Sequence, residues 1–142
     1  MEYRKFGSRI VLRLDKGDEI VSSVLETAAK ENIALASVYG IGGTDFAKVG
    51  VFNTEKRAYD EFELRGTHEI TSLTGNINTM AGEPYTHLHI TLAGPGGDVK
   101  GGHLLSCVIS LTAEIFITVI EGRVDRKKDP ELQINKFDFE VK

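Results

Sequence analysis

Apolar and polar residues alternate along most of this chain, and a helical period stands out clearly once. Ile10-Val11-Leu12-Arg13-Leu14 alternates as a strand with Ile10, Leu12 and Leu14 facing inward. Asp15-Lys16-Gly17-Asp18 reads as a turn whose aspartates are candidate N-caps. A helix is expected from about Glu19 to Glu31, with Ile20, Val21, Val24, Leu25 and Ala28 as its apolar stripe. Acidic residues at its start and Lys30 near its end suit the helix dipole, and Asn32 is the expected stop. Beyond it, Ala34–Tyr39 reads as a small buried strand, Gly40-Ile41-Gly42-Gly43 as a break, and Phe46–Phe52 as a resumed strand. A polar turn at Asn53–Arg57 precedes strands at Tyr59–Leu64 and Gly66–Gly75. Asn76–Pro84 is less regular. Tyr85–Leu92 alternates strongly, and the apolar run Leu104–Ile120 suits one or two buried strands. A mixed-charge turn at Gly122–Pro130 leads to a last strand at Leu132–Phe137. One helix among many strands predicts an α+β fold with a mainly antiparallel β-sheet and one long amphipathic helix. No repeat or linker divides the chain, so one domain over residues 1–142 is expected.

Composition changes this picture little but narrows the partners. The chain has 142 residues, 41% of them apolar and 27% charged, enough for a substantial core. A net charge of −4 argues against nucleic-acid binding through the general surface. One cysteine, Cys107, excludes an internal disulfide framework and fits a reducing compartment. Met1–Phe6 has no apolar segment of the secretory kind. Leu104–Ile120 is interrupted by Ser106, Ser110, Thr112, Glu114 and Thr118 and is short for a membrane span. A cytoplasmic protein without membrane contact is expected.

Three of the four histidines fall within the stretch from His87 to His103. In Tyr85-Thr86-His87-Leu88-His89-Ile90-Thr91-Leu92, the histidines and Thr91 share one face, while Leu88, Ile90 and Leu92 share the other. If the chain turns about Gly96, His103 comes directly opposite His89 on the next strand. Three imidazoles on one face suit Zn²⁺ and similar metals, with a fourth position left open for water. A shift of one residue in that turn would move His103 to the other face. Cys107 shares the face of His103 if no bulge intervenes, which leaves it open as a fourth ligand. Glu83 could add a carboxylate, though a solvated loop residue is the simpler reading. His68 belongs to another strand and reads as a surface residue. Glu114 interrupts an apolar run, so a partner, a strand end or a subunit interface is expected for it. Arg123, Arg126, Lys127 and Lys128, diluted by Asp125 and Asp129, read as a solvated turn. The glycines at 40–43 lack the third glycine of a dinucleotide loop and the lysine of a P-loop, and read as a bulge or tight turn. A cupin would need a glutamate soon after the second histidine, where this chain has Ala93 and Gly94.

Together, Tyr39-Gly40-Ile41-Gly42-Gly43, Glu69-Ile70-Thr71-Ser72-Leu73-Thr74-Gly75, His87-Leu88-His89, Gly101-Gly102-His103-Leu104 and Thr112-Ala113-Glu114-Ile115 resemble the PPC domain (plants and prokaryotes conserved, DUF296). The resemblance implies a mainly antiparallel α/β fold assembled as a homotrimer, with His87, His89 and His103 able to hold a metal, zinc above all. Plant members join this domain to AT-hooks of the Arg-Gly-Arg-Pro type, which this chain lacks. The expected function is therefore a stand-alone, trimeric, metal-binding regulatory or interaction module, linked to DNA through protein partners. A small zinc-dependent metalloenzyme with an open three-histidine site, or a direct DNA-binding protein, are the alternatives; the residues name no catalytic group.

Overall fold

In a computed structural model, which describes residues 1–140, the alternating segments join into a few very long strands. The order is β1 (Glu2–Phe6), β2 (Arg9–Asp15), α1 (Ile20–Lys30), β3 (Ala36–Asn53), β4 (Ala58–Met80), β5 (Glu83–Ala93), β6 (Val99–Val119), β7 (Asp125–Lys128) and β8 (Asn135–Asp138). The main sheet runs β1-β2-β6-β3-β4-β5, and β5 pairs back onto β6. Strands β3 to β6 thus close into a ring with β2 and β1 as its extension, and every pairing is antiparallel. Closure satisfies backbone groups that an open edge would leave unpaired. A separate ribbon pairs β7 with β8.

Burial follows the alternation. Ile10, Leu12 and Leu14 of β2, Leu73 and Ile77 of β4, Leu88, Ile90 and Leu92 of β5, and Ile109, Ile115 and Ile117 of β6 are all buried in one core. Helix α1 covers that core against β5 and β6, inserting Ile20, Val24 and Ala28. Among the described residues, no helix is long and apolar enough to cross a membrane.

Several expectations require correction. The glycines at 40–43 do hold a bulge-like register shift, between Gly40 and Gly42, but it lies inside one continuous strand, with a second shift between Thr44 and Phe46. Likewise Tyr59–Leu64, Gly66–Gly75 and the start of the irregular stretch are all β4. Of the one or two strands expected in Leu104–Ile120 there is one, β6, which ends at Val119. Glu114 is exposed on the outer face, because alternation alone explains its place in an apolar run. The aspartates before α1 do not cap it: the Asp18 carboxylate takes the Asp15 amide at 2.8 Å and the chain-terminal ammonium at 2.8 Å. Glu19 is the N-cap instead, accepting from the amides of Val21 and Ser22 at 3.1 and 2.7 Å. Asn32 does end the helix, in a left-handed conformation with φ 53°. The amides of Asn32 and Ile33 return to the carbonyls of Ala29 and Ala28, a Schellman closure. The charged turn at 122–130 contains β7, and β1 is a strand that the apolar pattern does not mark, since its residues are mostly exposed.

Candidate metal centre

The site lies where the ring closes. The hairpin from β5 to β6 turns through residues 94–98, with the Gly97 amide donating to the Gly94 carbonyl at 2.9 Å. Ala93 pairs with Val99 and, four residues up each strand, His89 pairs with His103. This is the register that a turn centred on Gly96 dictates. His103 also pairs with Gly50 of β3, so it sits at the seam between two strand neighbours. On the other side of β5, His87 pairs with Asn76 of β4. The flanking Gly75 is obligatory there, because a Cβ would lie 2.0 Å from the His87 carbonyl oxygen. Leu88 and Ile90, 2% exposed, anchor the opposite face of β5 in the core. The strand can present its histidines only outward.

One ring nitrogen from each of His87, His89 and His103 lies within 4.8 Å of the other two. The Nε2 atoms of His87 and His89 are 3.2 Å apart. Two nitrogens bound tetrahedrally at about 2.0–2.1 Å would be separated by roughly 3.3 Å, so this pair already has the spacing of a zinc site. His103 Nδ1 is buried without a hydrogen-bond partner. A metal needs neutral imidazoles. Burial, followed by the neighbouring His103, Arg126 and His89, pushes His87 down to about 4. Burial, His89 and Arg126 lower His103 as well. All these observations fit a divalent metal held by three imidazoles.

The other candidates fall away from the cluster. Only Leu104 of β6 pairs with Val49 before Ser106 pairs with Lys48, so Leu105 is an extra residue. That bulge reverses the inward phase and turns Cys107 into the core, where it is fully buried and its thiol is pushed up to about 11. It packs and does not ligate. Glu83 is exposed at the start of β5, on a surface shared with α1 and Arg123. His68 Nδ1 donates to the Gly66 carbonyl at 2.7 Å, away from the cluster.

Arg126 was expected to be solvated and is instead 8% exposed, beside His87. It donates to Asn78 Oδ1 at 3.0 Å, Asn76 Oδ1 at 3.0 Å and the Asn135 carbonyl at 2.7 Å. A fourth contact, 3.4 Å long, reaches His87 Nδ1. The rings of Tyr85 and Phe137 flank its guanidinium at 5.0 and 4.6 Å. Tyr59 is a further residue that spacing does not reveal: it stacks on His103 at 4.7 Å, across the side-chain-free surface of Gly50. Between these aromatic rings, a cavity of about 200 Å³ opens onto His87 and His103.

Comparison with known proteins agrees with this geometry. A family model described as the Plants and Prokaryotes Conserved (PCC) domain matches residues 1–121. A Bacteroides thetaiotaomicron protein, named for a supposed DNA-binding role, is 32% identical, with a TM-score of 0.94 over 98% of this chain and 97% of its own. A plant- and prokaryote-conserved protein from Pyrococcus horikoshii is 30% identical (TM-score 0.86, covering 96% and 94%). A metal-containing protein from Archaeoglobus fulgidus is 31% identical (TM-score 0.86, covering 96% of both chains). No curated protein matches.

Proposed function

Because this chain belongs to the Plants and Prokaryotes Conserved domain family, we propose that it is a zinc-binding module that assembles as a homotrimer and serves regulation or protein interaction. The observation that carries the metal reading is the convergence of three imidazoles, with ring nitrogens within 4.8 Å, two of which, His87 and His103, are pushed toward the neutral form by burial. The metal-containing Archaeoglobus relative supports it. When bound, zinc would supply a Lewis acid and acidify a water in its open position. His87, His89 and His103 would hold it, and Gly75 and the core face of β5 orient the first two. Metal analysis of the purified chain should find about one zinc per chain, and His103→Ala should abolish it. Wild-type protein that takes up no metal on titration would refute this reading.

The enzyme alternative gains support from the cavity beside the histidines. Yet among the described residues no carboxylate lines that cavity, so they offer it no carboxylate general base. DNA association, suggested by the name of the Bacteroides relative, is better assigned to partners.

A further inference from the structure

We propose that the cavity against the histidine cluster binds a small organic carboxylate, whose anionic end joins the metal and whose flat body lies among Phe52, Tyr59 and Tyr85. The inference rests on the metal reading and starts from an imbalance of charge. Arg126 is buried, and all its side-chain partners are neutral: two asparagine amides, a carbonyl and an imidazole. Buried charges ordinarily meet a countercharge. Arg126 stands behind the wall, against Tyr85, His87 and Asn135, and Arg57 is the cation on the wall itself, with no ion pair or side-chain hydrogen bond among the described residues. Among the described residues no carboxylate lines the space, although the chain as a whole carries a net charge of −4. Two positive charges from a metal on three neutral imidazoles would deepen the excess. An anion relieves it.

The walls select the kind of anion. Tyr59, stacked on His103, and Tyr85, stacked on Arg126, are joined by Phe52, whose ring meets Tyr59 edge-on at 5.3 Å. Inorganic phosphate would leave these rings unfilled, whereas a carboxylate with a flat apolar body uses both the charge and the walls. A volume of about 200 Å³ admits a body of one ring. Two turns form the cavity's rim: Arg57 (φ 53°) and Gln133 (φ 61°), left-handed residues of the turns that join β3 to β4 and β7 to β8, both line it.

The test is calorimetric titration of the zinc-loaded full chain with benzoate, benzamide and inorganic phosphate, with zinc content measured in parallel. Benzoate should saturate at one per chain. Its neutral isostere benzamide should bind at least about tenfold more weakly, as should phosphate, the one lacking charge and the other an apolar body. Arg57→Gly relieves the left-handed strain, so it should fold and keep its zinc while weakening benzoate about threefold or more. Zinc-loaded protein that ignores benzoate, or binds benzamide or phosphate as tightly, would overturn the carboxylate site and leave the metal reading standing. A chain that takes no zinc would overturn both, and the zinc measurement separates the two failures.

Discussion

His87 is the residue on which charge and geometry press hardest. Its imidazole is lowered to about 4, first by burial and then by His103, Arg126 and His89. The sign for stability follows directly. An unfolded chain takes up this proton near the ordinary value of about 6.5, before the folded chain can. Metal-free protein should therefore be most stable above that value and lose stability as the pH falls from about 6.5 towards 4, below which the loss levels off. Urea midpoints across this range check it, and His87→Gln, which cannot titrate, should flatten part of the slope. Arg126 contributes from its fixed position. A guanidinium only donates, so its 3.4 Å contact meets the Nδ1 lone pair of His87. Giving Nε2 to a metal places the ring proton on Nδ1, and Arg126 must then release this weak contact while keeping its bonds to the asparagines. Arg126→Gln removes a charge that repels the imidazolium and should raise the His87 pKa, read by NMR titration of the metal-free chain. It also strands asparagine acceptors and should cost about 1–3 kcal/mol of stability.

At the scale of elements, Glu19 joins the helix to the sheet. Its carboxylate caps the helix and also accepts the Cys107 amide of β6 at 3.0 Å. Glu19→Ala should lose a cap worth about 1 kcal/mol and leave a buried amide unpaired, for a total of about 2–4 kcal/mol by denaturant unfolding. The restoring variant Glu19→Asp, too short to reach Cys107, should recover only the cap. The cap is local, with partners two and three residues on, but the tie to the sheet is not, because Glu19 and Cys107 are 88 residues apart. The same distinction explains what the sequence discloses. Alternation and helical spacing are local, so the inward faces of β2 and β5, the body of α1 and the His89–His103 register can be read from neighbouring residues. Strand continuity is not local: Gly66 and the glycines at 40–43 look like stops, and only the paired ladders of β3 and β4 carry the chain through them. The bulge at Leu105 is equally silent, although it alone decides that Cys107 points away from the histidines. Arg126 reads as a member of a charged turn because Asn76 and Asn78, which hold it, are 50 and 48 residues away.

For the whole molecule, the outer face and the surface charge bear on assembly and on DNA. Tyr39, Ile41 and Leu111 are 54%, 56% and 66% exposed, on the neighbouring strands β3 and β6. Tyr39 stacks on Phe116 at 4.9 Å, and Leu111 lies over Gly43. These apolar side chains, with exposed Glu114 paired to Ile41 among them, are costly in water and suit burial against further copies of the chain. If the proposed trimer uses it, Leu111→Glu should shift the sedimenting species from three chains to one without unfolding the protein, because the side chain is not part of the core. An unchanged trimer would place the interface elsewhere. Charge pairing limits what any such assembly can do with a phosphate backbone. Lys48 meets Glu61, Lys56 meets Asp60, Arg65 meets Glu63, and Lys127 meets Asp138 and Glu140. Cations already answered by carboxylates release few counterions from DNA, and trimerisation would triple the net charge of −4 on each chain. Duplex should therefore be retained neither at moderate salt nor at low salt in filter binding by the pure protein. Retention at low salt that falls steeply with added salt would show a direct phosphate-binding surface and return DNA from the partners to this chain.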